Sequence, residues 1–244
     1  MMRSLLIGTV AALVGMAAIY TLYSRDIARA TASLEGRSQL VDTEFGPIEY
    51  AEVGEGHPVL VIHGSGGGFQ QGLLLSEPLA GRGFKLIAPS RFGYLRTPAR
   101  DDLTLAMQAD AHAAFMSRLG VEKAVIIGGS AGAQSAMQLA IRYPDACEAL
   151  VLLVPAAYAP DRPPNESGAE SALAERFMMA MLKGDFPFWA AIRLLPDTMT
   201  RLILATEPGV IEAAGPSSPT SAMPSSSAAP ERASRIWPSP LPGP

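Results

Sequence analysis

Ser130 lies in Gly128-Gly129-Ser130-Ala131-Gly132, a G-x-S-x-G spacing that can present one serine hydroxyl as a nucleophile. Glycines two positions to either side suit a sharp, strained turn, because a Cβ there would meet neighbouring backbone. Acyl transfer at such a serine also needs two backbone N–H groups aimed at the oxygen that becomes negative. One is expected from the residue after the nucleophile, Ala131. The other is expected from the loop His63-Gly64-Ser65-Gly66-Gly67-Gly68, with Ser65 as the donor and Gly66 next. The plainer alternative for 128–132 is a glycine-rich loop that only turns the chain. A dinucleotide loop does not fit the upstream segment, since G-x-G-x-x-G would need glycine at Phe69, and no G-x-x-x-x-G-K-[ST] occurs anywhere.

The elements around these residues fit the chemistry. The β-branched run 123–127 precedes the serine, and a segment rich in helix formers, 133–141, follows it and stops before Pro144. Residues 58–62 read as a buried strand feeding the glycine loop. Residues 48–53 alternate with period two, which predicts a half-buried edge strand forming a hairpin arm with 41–45 through Gly46-Pro47. A helix near 72–81, a strand at 84–88, an amphipathic helix over 105–119 ended by Gly120, and an apolar strand at 149–154 complete the series. Strands alternating with helices predict an α/β fold with a mostly parallel sheet. Beyond 155–168, a proline-rich loop, residues 170–182, 188–195 and 199–204 read as helices with no strand between them.

Taken together, the two motifs and their spacing resemble the α/β-hydrolase fold family over about residues 40–206. Pro89-Ser90-Arg91-Phe92-Gly93-Tyr94 adds to the likeness, with Ser90 where family members often carry Asp. The resemblance implies a serine hydrolase with helices on both faces of the sheet and a helical cap at about 160–206. Phe177, Met178, Met181, Phe186, Phe188 and Trp189 would then line an apolar pocket or simply pack the cap. It also implies that His63 braces the glycine loop. The chain order expected in this family is Ser, then an acid, then His, yet the three histidines are His57, His63 and His112, all before Ser130. Asp161 is a weak candidate for the acid, and no catalytic histidine is found. The carboxyl-terminal strands of the family pattern are missing too, which predicts that strand 149–154 forms an exposed, aggregation-prone edge.

Composition narrows the remaining choices. The 244 residues are 48% hydrophobic with a formal net charge of −4, enough for one medium domain and without the basic patch nucleic acid would require. Cys147 is the only cysteine and reads as core filler; no histidine pair has ligand spacing, so neither metal nor cofactor is expected.

Residues 5–23 carry no charge and no proline, and a helix of that length spans about the hydrocarbon thickness of a bilayer. Tyr20 and Tyr23 stand where an interfacial aromatic belt would lie. An uncleaved single-pass anchor over 1–24 is expected, followed by a polar stalk over 25–40 and the hydrolase-like domain over 41–206. The rival is a signal peptide cut at Ala28-Arg29-Ala30, giving a secreted protein. At the other end, residues 207–244 read as a disordered tail, since eight of the thirty residues from Gly215 are proline and eight are serine. A change of reading frame near Ala214 would produce such a tail; a genuine proline-rich linker or interaction segment is the alternative. The resulting expectation is a hydrolase acting on a small apolar ester or related carbonyl compound, impaired for want of His and acid. The alternative is a membrane-tethered binding protein on a hydrolase scaffold.

Overall fold

A computed structural model of the chain describes residues 2–156, 176, 184–204 and 209. They fall into two compact units: residues up to Leu34 together with the later helices, and the segment from Glu35 onward through the sheet.

The sheet unit begins with a hairpin, β1 (Gln39–Thr43) and β2 (Gly46–Val53). Its turn is tied by Thr43, whose Oγ1 donates to the Gly46 carbonyl and accepts from Phe45 N–H. Then follow β3 (His57–Ile62), α2 (Phe69–Leu75), β4 (Phe84–Pro89), α3 (Leu105–Arg118), β5 (Ala124–Gly129), α4 (Gly132–Arg142) and β6 (Cys147–Leu153). The strand order is β1-β2-β4-β3-β5-β6. Pairs β1–β2 and β2–β4 are antiparallel; β4–β3, β3–β5 and β5–β6 are parallel and joined through helices. This is the mixed, mostly parallel sheet expected from the alternating pattern.

Helix boundaries follow local chemistry. Thr104 Oγ1 caps α3 by accepting from Met107 N–H at 3.0 Å, and Gly120, at φ +68°, turns the chain out of the helix. Ile48, Tyr50, Leu60, Ile62, Ile87, Phe115, Met116, Ile126 and Leu139 form the main cluster of the core. Burial of such side chains, roughly 1.5–3 kcal/mol each, is the main driving force for this unit.

Two expectations about the sheet need correcting. β2 is not an edge strand: it lies between β1 and β4, and Ile48, Glu49, Tyr50 and Ala51 are buried in succession. The helix after the glycine loop spans 69–75 and gives way to a short 3-10 turn at Glu77–Leu79, where Pro78 cannot continue it. At the far side, β6 has β5 as its one neighbour among the described residues, and Leu150 and Val151 are 37% and 40% exposed.

The other unit contains α1 (Met2–Ala32), α5 (Asp185–Leu194) and α6 (Pro196–Leu204). α1 is one helix of 31 residues that runs on to Ala32 through the segment read as a stalk. Over Leu6–Ala32 it is long and apolar enough to cross a membrane, by length and composition. The helix expected at 170–182, the tail and Asp161 lie outside the described residues, apart from helical Arg176.

Candidate active site

Parallel pairing of β3 with β5 brings their carboxyl ends together, with Ile62 opposite Gly128. The loops that follow these strands therefore meet at one edge of the sheet, where open α/β sheets place their ligands.

Ser130 occupies the turn between β5 and α4 at φ +48°, a left-handed conformation costly for a residue with a Cβ, and its side chain is exposed. The strain is held by the surroundings. Ser130 N–H donates to the Leu153 carbonyl at 2.9 Å, and the Ser130 carbonyl accepts from Ala133 and Ala156 N–H, both at 3.1 Å. Gln134 Nε2 in turn donates to the Ala156 carbonyl at 2.8 Å. The flanking glycines are sterically required: a Cβ on Gly128 would lie 2.6 Å from Ala136 Cβ, and one on Gly132 would overlap the His63 carbonyl oxygen. Ala131 immediately precedes α4, so its N–H belongs to the helix start.

The loop after β3 passes close by. A Cβ on Gly64 would be 3.1 Å from Ser130 Cβ and 3.3 Å from the Gly129 carbonyl oxygen. Ser65 and Gly66 are exposed. Gly64 N–H donates to Gln71 Oε1 at 2.9 Å, and the Gly64 carbonyl accepts from the Arg91 guanidinium at 3.0 Å. Tyr94 Oη donates to the Ser65 carbonyl at 3.3 Å. In a trans peptide the N–H points opposite to the preceding carbonyl. The Ser65 and Gly66 amides are therefore turned away from Arg91 and Tyr94.

His63 braces this arrangement. Its Nε2 accepts from Arg91 N–H at 2.9 Å, so Nδ1 carries the proton and donates to the Gly64 carbonyl at 2.7 Å. Burial, then the Arg91 charge, push its pKa down to about 3 against the opposing pull of Gly64. Both ring nitrogens are thus engaged and the ring is neutral. His112, on α3, is fully buried with neither ring nitrogen partnered, and burial followed by Arg91 and His63 lower it to about 3. His57 lies at the opposite, amino-terminal end of β3, with Nε2 2.9 Å from Glu148. A strand of that length separates it from the carboxyl edge by roughly 17–20 Å.

Ser90 is buried and accepts from Phe69 N–H at 3.1 Å while donating to Glu49 Oε2 at 3.3 Å. Glu49, 3% exposed, also receives Arg96 through its backbone N–H and its Nε at 2.7 Å, and Ser38 Oγ at 2.6 Å. Glu49 of β2 thereby places a carboxylate beside Ser90. Glu49 and Gln71 escaped the sequence reading: Glu49 looked like the wet face of an edge strand, and Gln71 had no mark beyond following the glycines. A groove of about 650 Å³ along α3, lined by Asp110, Met116 and Tyr143 among others, contains none of Ser65, Gly66, Ser130 or Ala131.

Of the residues expected in an apolar pocket, Phe177, Met178 and Met181 lie outside the described residues. Phe186 and Trp189 pack on Tyr23 of α1, with ring centroids 5.3 and 5.5 Å away.

Comparison with known proteins bears on the fold. The sequence profile of the alpha/beta hydrolase fold matches residues 57–192. The 2-hydroxy-6-oxo-6-phenylhexa-2,4-dienoate hydrolase of Comamonas testosteroni is 30% identical over 113 residues, 44% of this chain and 40% of that protein. The 2-hydroxymuconate semialdehyde hydrolase of Pseudomonas putida is 34% identical over 108 residues, 41% and 37% of the two chains. The matched stretches thus span about two fifths of these curated relatives. Among solved structures, an alpha/beta hydrolase fold protein from Nakamurella multipartita superposes with a TM-score of 0.50 at 32% identity, covering 69% of this chain and 56% of that one.

Proposed function

Because this chain belongs to the alpha/beta hydrolase fold family, we propose that its site performs acyl transfer through Ser130. Ser130 Oγ attacks a carbonyl carbon, and the oxygen that becomes negative is received by the N–H groups of Ala131 and Ser65, with Gly66 as the adjacent donor. The serine proton passes to a base, the leaving group departs with a proton, and water releases the acyl group. The observation that carries this reading is the left-handed Ser130 beside Gly64, where an added Cβ would lie 3.1 Å from the Ser130 Cβ.

The proton transfer is the weak step. His63 has both nitrogens committed, His112 is enclosed, and His57 is at the wrong end of β3. These 244 residues therefore carry the nucleophile and its oxyanion donors without a placed histidine base. A serine site lacking its base keeps roughly 10³–10⁴-fold acceleration over water from oxyanion stabilisation and binding. The substrate class is a small ester or related carbonyl compound, in keeping with relatives whose names specify oxo-dienoate and semialdehyde substrates. Residues 5–23 act as a single-pass anchor that holds the site at a membrane.

A fluorophosphonate probe tests the nucleophile in the detergent-solubilised full chain. Slow modification mapped to Ser130 and absent in Ser130→Ala is the expected result. No modification, together with saturable binding of an apolar ester analogue that Ser130→Ala leaves unchanged, would instead mark a binding protein.

A further inference from the structure

α1 is exposed at every position from Leu6 to Leu22, and its first partly covered side chains are Tyr23, Ser24, Asp26 and Ile27. What covers them includes α5. Trp189 Nε1 donates to Asp26 Oδ2 at 2.9 Å, and Arg193 donates to the same oxygen through Nε at 3.1 Å and Nη2 at 2.6 Å. Tyr23 meets Phe186 and Trp189 edge to face, and Tyr20 lies one turn back with its ring 6.4 Å from that of Tyr23. From residue 5, Tyr23 is roughly 27 Å along the helix axis and Asp26 one turn further, so this cluster sits where an apolar helix leaves the hydrocarbon.

α5 also leaves apolar side chains uncovered. Phe186, Ile192, Leu194 and the following Leu195 are all exposed, Leu194 at 77%. Exposed apolar surface of this kind is a liability in water. Beside a headgroup layer, with two tyrosines and an indole at the same level, it fits a lipid surface. Pairing Asp26 with Arg193 also neutralises two charges close to that layer, which lowers the cost of holding them there.

We infer that Asp185–Leu194 is a second membrane contact, docked on the stem of α1 by Tyr23 and Asp26, with its apolar side chains in the headgroup layer of a lipid bilayer. The inference rests on the anchor reading of residues 5–23. It has a consequence for processing: Tyr23 and Asp26 precede Ala30, so a cut at Ala28-Arg29-Ala30 would remove the docking site.

Trp189 reports its own depth. With Trp237→Phe it becomes the one tryptophan of the chain, and the full-length protein is reconstituted into phosphatidylcholine vesicles carrying lipids brominated near the headgroup or near the chain end. Quenching of Trp189 by the shallow bromines, stronger than by the deep ones and mostly lost in Asp26→Ala, is expected. Vesicle-bound protein with unquenched Trp189 would overturn the inference while leaving the anchor intact. Protein that does not float with vesicles would overturn both. Shallow quenching that Asp26→Ala leaves unchanged would remove Asp26 as the docking residue and with it the inference.

Discussion

Gly64 faces Ser130 so closely that a β-carbon placed on it would lie 3.1 Å from the Ser130 Cβ. The two residues belong to loops after different strands, and the register of β3 on β5 sets their separation. Gly64→Ala needs a shift of a few tenths of an ångström, enough to move the Ser65 amide off its target. Loss of one oxyanion donor costs about 10²–10³ in rate. Fluorophosphonate labelling of Gly64→Ala is expected to slow by about tenfold or more while the melting temperature barely moves; equal labelling rates would detach Gly64 from the site.

Gly132→Ala should behave differently. Its Cβ would overlap the His63 backbone oxygen and stand 2.6 Å from that of Ile62, neither of which is a flexible side-chain end. Overpacking of this kind costs about 1–3 kcal/mol or more. A denaturant midpoint equal to that of the parent chain would contradict the geometry.

Glu49 and Ser90 form a coupled pair at 3.3 Å, with Arg96 completing the charge. Glu49→Gln should destabilise by about 1–3 kcal/mol, since a buried acceptor becomes partly a donor. Ser90→Asp would set a second carboxylate against the first and should cost as much, but far less when Glu49→Gln is also present. Denaturant midpoints of the four proteins measure this coupling, and strictly additive effects would contradict it.

Acid sensitivity follows from the buried histidines. His63 and His112 are held at about 3 in the fold against an ordinary 6.5, so they stay neutral where an unfolded chain protonates. The unfolded state then binds more protons, and stability, full above about pH 6.5, falls as pH drops towards 3. Each ring contributes up to about 1.4 kcal/mol per pH unit within that window. Urea midpoints between pH 7 and 5, above most carboxylate titration, should show the slope, reduced by about half in His112→Leu. A flat profile would mean that the rings gain protons in the fold.

Among the described residues β6 pairs with β5 alone, and this flank should make the sheet unit associate. Residues 35–244 produced without α1 are expected to self-associate, and Val151→Lys to relieve it by charging the strand edge. Monodisperse protein with a cooperative melt would count against β6 as an open edge.

The strand, turn and helix around Ser130 could be read from the chain because their signals are local. β5, Ser130 and α4 occupy nineteen consecutive residues, 124–142, and glycines at 128 and 132 mark the steric demand directly. The glycine loop is equally compact. What escaped depends on partners distant in sequence: Glu49 looked exposed because Ser90 and Arg96, which satisfy it, lie 41 and 47 residues away. α5 read as part of a cap, and its partner Asp26 is 163 residues from Trp189. The helical course of the stalk segment has another origin. Its charged residues suggest solvent, yet 24–32 contains neither proline nor glycine to end a helix, so α1 continues.

On the proposed reading, Ser130 is a nucleophile with oxyanion donors at Ala131 and Ser65 and no histidine placed to deprotonate it. The most direct test supplies the base from solution: the full chain is mixed with a p-nitrophenyl ester over a range of imidazole concentrations, and acylated peptides are mapped by mass. Acylation of Ser130 that rises with imidazole, above the background of Ser130→Ala, is the expected result. Acylation that ignores imidazole, or that matches the Ser130→Ala chain, would contradict it.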